Sequence, residues 1–381
     1  MGDKAKRRAG RSAGAAILLS LLLAGQAMGA GWSAPTALTT SGKGYGHALV
    51  TLGTSTAVAV YVNNGRIVVR RSTNSGSTWS SPVRLAEGGD SPAAAGRGGA
   101  VDVVWAQNDR IRYARSTNSG ASFSAPVELS PSGVLVMDPS VGRGANGLVV
   151  VSWLQVKRVP CCDGMWTVMA RVSTNGGASF GPARNLGSGW QAVAAAGKGV
   201  AYVAIDGFGG SDLGLAIRRS LDGGASWSER GFAWPDGHIV RPRALSITAA
   251  GKYAYVAYQH IGPDGSFDSW VGYRRTASKG DRWSAARNLT PPGGPTEADA
   301  VISLKGGVLR AAFVRNGHGI WYSQSADGLS WSAAQQAVVD SPPEERPFGV
   351  GHAGRPMVGF SLVDYDNAPY PRDVYVALGT P

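Results

Sequence analysis

The stretch "RSTNSGSTWSSPVRL" at residues 71–85 returns almost unchanged as "RSTNSGASFSAPVEL" at 115–129. A catalytic centre has no use for a second copy in one chain, whereas a building part gains from repetition. Six versions of its centre align. They are "STNSGSTW" (Ser72, Asn74, Gly76, Trp79), "STNSGASF" (Ser116, Asn118, Gly120, Phe123) and "STNGGASF" (Ser173, Asn175, Gly177, Phe180). Then come "SLDGGASW" (Ser220, Asp222, Gly224, Trp227), "TASKGDRW" (Thr276, Ser278, Gly280, Trp283) and a one-shorter "SADGLSW" (Ser325, Asp327, Gly328, Trp331). Successive copies start 44 to 57 residues apart, near the length of a propeller blade.

Outward from each copy the pattern is that of short strands. In residues 90–129, "AVDVVWAQ" sets Val101, Val103 and Trp105 against polar or small neighbours, "RIRYARS" alternates again, and "FSAPVEL" closes the unit. Four strands per unit with no helical period predict an all-β propeller of four-stranded antiparallel blades. "GWSAPTAL" at 31–38 matches the strand after each copy but has no copy before it. At the other end, "RPFGVGHAG", "RPMVGFSLVD" and "DVYVALG" supply three strands with none after them. Pairing the two ends completes a shared last blade and removes an exposed sheet edge. The expectation is a seven-bladed propeller forming one domain over residues 31–381.

Residues 1–30 are expected to be a secretory signal peptide: "KAKRRAGR" is basic, "AGAAILLSLLLAG" apolar, and "AMGA" offers a cleavage site. The apolar run is short for a membrane span, so the mature protein is expected to be secreted or periplasmic and monomeric. Removing five cations (Lys4, Lys6, Arg7, Arg8, Arg11) and Asp3 lowers the net charge from +12 to +8. The remaining arginines recur at equivalent repeat positions and read as solvated strand ends, not as a basic stripe for nucleic acid. Cys161 and Cys162 are the only two cysteines. Adjacent thiols either stay reduced or close a strained vicinal disulfide. The five histidines are scattered, and no metal or cofactor is expected.

Short polar side chains, a glycine and a terminal aromatic make each repeated phrase a tight hairpin with an apolar flap. The six phrases resemble the Asp-box, or bacterial neuraminidase repeat, of the sialidase superfamily. The resemblance implies structural hairpins on the face opposite any active site. It also implies that a catalytic member would carry an arginine clamp, a Tyr nucleophile assisted by Glu, and an Asp acid/base. This chain departs from that pattern: the first blade reads "SGKGYGHALVTLG" with no arginine, and catalytic members resemble six-bladed rings.

Candidates for a residual site are Arg241, Arg243 and Arg346, with Glu297, Asp299, Asp206, Tyr365 and Asp366 as partners. None aligns with a catalytic position of the family. "VRPR" reads equally as surface ion-pair residues, "PTEAD" as loop-capping acids, and Asp206 with Asp212 as the flanks of a "GFGGS" turn. Trp105, Trp153 and Tyr258 close second strands and read as packing between blades. The longest inter-strand segments lie opposite the repeated phrases and carry Trp, Tyr, Arg and Asp. The expected function is noncatalytic binding of a glycan or extracellular protein through that face. The alternative is a divergent sialidase-like exo-glycoside hydrolase.

Overall fold

The computed structural model describes residues 31–156, 166–207, 214–233, 245–261, 269–290, 297–315, 318–339, 344–363 and 372–380. These form seven four-stranded antiparallel sheets, the blades of a propeller. In chain order the innermost strands are Gly44–Leu52, Asp90–Arg97, Leu135–Arg143, Gln191–Ala196, Ser246–Ala250, Glu297–Lys305 and Glu344–His352, which begin blades 1 to 7. Each blade runs outward as a meander. Blade 7 differs, because its outer strand is Thr36–Ala37, with Thr36 opposite Val376 and Ala37 opposite Tyr375. Ser33 N donates to Leu378 O at 2.8 Å and Leu38 N to Val374 O at 2.7 Å, so backbone bonding extends past that short strand.

The alternation in "AVDVVWAQ" does not divide core from solvent, because Val101, Asp102, Val103, Val104 and Trp105 are all buried. Both faces of a blade pack against neighbours, so alternation assigns side chains to one seam or the other. Val101, Val103 and Trp105 join blade 1 residues such as Val58 and Val60. Val104 instead joins Val141 and Val151 of blade 3. Every described hydrophobic cluster spans two adjacent blades in this way, and the core lies in the seams.

The repeated phrase is the hairpin between third and outer strands. Its first hydroxyl accepts from the backbone N–H of its glycine: Gly76 to Ser72 Oγ at 2.9 Å, Gly177 to Ser173 Oγ at 2.9 Å, Gly280 to Thr276 Oγ1 at 3.1 Å. The same hydroxyl donates to the third residue's oxygen, whether Asn118 (2.8 Å) or Asp222 (2.8 Å). That oxygen also accepts the N–H four residues on, for example Ser122 N to Asn118 Oδ1 at 2.9 Å. Amide and carboxylate therefore do the same work. The terminal aromatic packs over the preceding blade and stays half-buried: Phe180 meets Tyr113 edge-on at 4.9 Å, and Trp331 meets Tyr273 at 5.7 Å.

The arginine preceding the phrase is a clamp, which corrects the expectation of a solvated strand end. Arg71 Nε donates to Ser119 O at 2.9 Å, Arg115 Nη1 to Gly176 O at 3.0 Å, Arg219 Nη1 to Lys279 O at 3.0 Å, and Arg275 Nη1 to Asp327 O at 2.9 Å. Each reaches the hairpin of the next blade. In blade 7, which lacks the phrase, Arg355 Nε reaches Ser75 O of blade 1 at 2.9 Å. Much of the basic charge is thus spent on backbone carbonyls at the hairpin face.

Candidate functional site

The hairpins mark one end of the ring, called here the lower face. The inner strands start at the upper face, where second strands also end. Five of them carry a bulge near that start, at His47, Ser91–Pro92, Asp138–Pro139, Asp299–Ala300 and Phe348. Ser91, Asp138 and Asp299 there adopt φ of 46°, 46° and 51°, the left-handed conformation that accompanies a bulge.

Inside the ring lies an axial cavity of about 800 Å³, bounded by the inner strands of all seven blades. Its wall is mostly Ala, Val, Gly, Ser and Thr, with His47 towards the upper mouth and Arg97, Arg143 and Lys305 at the lower ends of their strands. No Asp or Glu is among the described lining residues. His47 is held neutral: burial lowers it to about 4 against an opposing pull from Asp90. Its ring meets Tyr45 edge-on at 4.8 Å, and Arg372 lies 5.3 Å above the Tyr45 ring.

Among the described residues, the sequence candidates do not share one site. Arg346 Nε stands 3.9 Å from Asp299 Oδ2 across the mouth between blades 7 and 6, with side chains 51% and 38% exposed. An ion pair that open to water is weak. Asp299 and Glu297 belong to the inner strand of blade 6, which corrects their reading as loop caps; Glu297 lies in register with Arg315. Asp206 ends the second strand of blade 4, two to three blades away from that pair, and is buried, not part of an open turn. Burial pushes its carboxyl up to about 7, only partly offset by the Gly207 N–H. Arg241, Arg243, Tyr365, Asp366, Asp212, Cys161 and Cys162 lie outside the described residues.

One upper-face residue escaped the sequence reading. Trp190 directly precedes the inner strand of blade 4, and its side chain is 53% exposed. Its backbone N–H donates to the backbone carbonyl of Asp206 at 2.8 Å. Its ring rests on Gly207, where a Cβ would come within 2.0 Å of Trp190 Cδ1. The available signal was positional: no other inner strand is preceded by an aromatic residue. An exposed indole held on the rim of the ring suits a ligand with one apolar face. Trp105, Trp153 and Tyr258 are fully buried between blades.

Among the described residues, no group of three His, Cys, Asp or Glu side chains is arranged for a metal. No described helix is long and apolar enough to cross a membrane.

No family model matches the chain, and no curated protein does. Solved structures do. The polysaccharide lyase Uly1 is similar over 88% of this chain and 90% of its own, at 10% identity and a TM-score of 0.53. A protein of unknown function from Dyadobacter fermentans is similar over 91% and 98%, at 12% identity and a TM-score of 0.50. The NanB sialidase from Streptococcus pneumoniae is similar over 92% and 70%, at 12% identity and a TM-score of 0.49. The likeness is one of fold.

Proposed function

We propose that this chain is an exported Asp-box propeller that binds a glycan through its upper face without cleaving it. The observation that carries the reading is Trp190, an exposed indole resting on Gly207 at the upper face. An exposed aromatic ring on a rigid scaffold suits stacking against the apolar face of a sugar. One further feature supports binding without hydrolysis: the ring has seven blades, against the six that the family resemblance implies for catalytic members. Residues 1–30 serve as the export signal in this reading.

A glycan array with the purified protein tests it. Wild type is expected to bind a defined set of glycans, with at least tenfold loss in Trp190→Ala, a drop of about 1.4 kcal/mol or more. Fluorogenic sialosides and other glycosides should remain uncleaved. A second reading, a divergent glycoside hydrolase, is favoured by Asp206, because an acid titrating near neutral pH suits proton donation. Turnover abolished by Asp206→Asn would establish that reading and overturn the first.

A further inference from the structure

At the lower face, the seam between blades 6 and 7 holds three basic side chains with no acid between them among the described residues. Arg310, on the second strand of blade 6, is 6% exposed. Its Nη1 donates to Lys305 O and Val308 O, each at 3.2 Å. Its Nε is buried without a partner. Lys305, last in the inner strand of blade 6, donates from Nζ to His352 O at 2.7 Å across the seam. His352 ends the inner strand of blade 7, and its backbone N–H donates to Thr51 Oγ1 of blade 1 at 3.3 Å. Lys305 and His352 remain partly open to solvent. Among the described residues none of the three forms a salt bridge.

Register shows what is missing. Arg310 pairs with Gln324, one step before the repeated phrase, as Asp102 pairs with Arg115 in blade 2. The same position holds Val58, Val150, Tyr202, Tyr255 and Met357 in the other blades. Only blades 2 and 6 are charged there. In blade 2 the Asp102 carboxylate accepts from Tyr113 Oη at 2.6 Å and pairs with Arg143 Nη1 at 2.6 Å. The counterparts in blades 6 and 7 are Tyr322 and His352, with the acid replaced by a cation. The cover differs too. Each repeated hairpin seats its glycine on the preceding blade, as Gly177 does on Tyr113 Oη and Gly328 on Tyr255. Blade 7 has no such hairpin, and Trp32 packs edge-on against Tyr322 at 5.4 Å instead.

We propose that Arg310, Lys305 and His352 form a binding site for one small oxyanion of the sulfate or phosphate class, filling the role of the Asp102 carboxylate. A buried guanidinium without a counter-charge is costly, and an anion at its free Nε supplies both the charge and the acceptor. The electrostatics agree. Burial and then Arg310 lower Lys305 to about 8, and burial, Arg310 and Lys305 together lower His352. A bound anion would reverse both. The site lies on the opposite face from Trp190 and stands independently of the glycan reading.

Thermal unfolding of the full mature protein tests it, with sodium sulfate or phosphate titrated against sodium chloride at matched ionic strength. Wild type is expected to show a saturating rise in Tm of about 2–5 °C at millimolar anion. General salt exclusion gives an unsaturating rise at much higher concentration. Arg310→Met should lose the saturating rise and unfold in chloride at or above the wild-type temperature. Lys305→Met and His352→Gln should each raise the midpoint concentration at least threefold, which keeps the test open should Arg310→Met not fold. A monosaccharide sulfate added in parallel separates the sources. An equal response identifies the sulfate ester as accepted, and response to the inorganic ion alone identifies a free ion. Equal responses to chloride and sulfate in wild type, a saturating response retained in Arg310→Met, or unchanged midpoints in both other variants would overturn the proposal.

Discussion

Two seams of this ring share a backbone and differ in charge. Between blades 2 and 3, Asp102, Tyr113 and Arg143 form a closed triad with the hairpin glycine Gly177 pressed over it. Between blades 6 and 7, the matching positions carry Arg310, Tyr322 and His352, and no hairpin covers them. The first seam is sealed by its own residues and the second is electrostatically incomplete. Repetition fixes where a side chain points, because strand pairing does not depend on its identity. Whether the resulting cluster is neutral is left free from blade to blade, so a repeat scaffold can keep one seam as fastener and open another to a ligand.

The largest expected effect tests the sealed seam. Asp102→Ala leaves Arg143 and the Tyr113 hydroxyl without their acceptor and should cost about 3–5 kcal/mol in urea unfolding. A loss under 1 kcal/mol would mean that the triad contributes no more than the open seam does.

A third buried charge sharpens the contrast. Among the described residues Asp206 has no cation like Arg143, and its folded-state value of about 7 lies above the unfolded 3.8. Folded protein therefore holds the proton more tightly, and this contribution to stability is greatest in acid and falls as pH rises through about 4 to 7. Asp206→Asn should match wild type near pH 4 and exceed it by about 2–4 kcal/mol at pH 8. Parallel pH curves for the two proteins would refute the assignment.

Gly177→Ala probes the cover of the sealed seam. The residue sits at φ 80°, and a Cβ there would meet Tyr113 Oη at 1.7 Å. A loss of about 1–3 kcal/mol is expected from strain and displacement of Tyr113, read from the shift in denaturation midpoint. The smallest effect concerns the hairpin itself. Asn118→Asp should change stability by less than about 0.5 kcal/mol at pH 7, because Asp222 already makes the equivalent bonds to Ser220 and Ser226. In acid the variant should lose ground, since the Asp222 carboxyl is held well below its usual value by those bonds and the stability it confers fades as pH falls towards that value.

Several parts of the site were legible in the residues and others were not. The exposed Trp190 could have been noticed as the single aromatic entering an inner strand. Its seat on Gly207 could not, because that contact follows from the register Gln191–Asp206. Arg346 and Asp299 are 47 positions apart in sequence and approach only because blades 6 and 7 adjoin. The clamp role of Arg71, Arg115, Arg219 and Arg275 was hidden for the same reason: a guanidinium at a repeat position looks identical whether it meets water or the next blade's carbonyl.

The sequence by itself determined the all-β class, the hairpin chemistry of the six phrases and the count of units, since turns and strand patterns are set by neighbours along the chain. Tertiary structure alone decided which seam each face enters, which buried charges find a partner, and that Arg310 has no acid partner among the described residues. Those outcomes depend on contacts between residues tens of positions apart, where local pattern carries no information about the opposing charge.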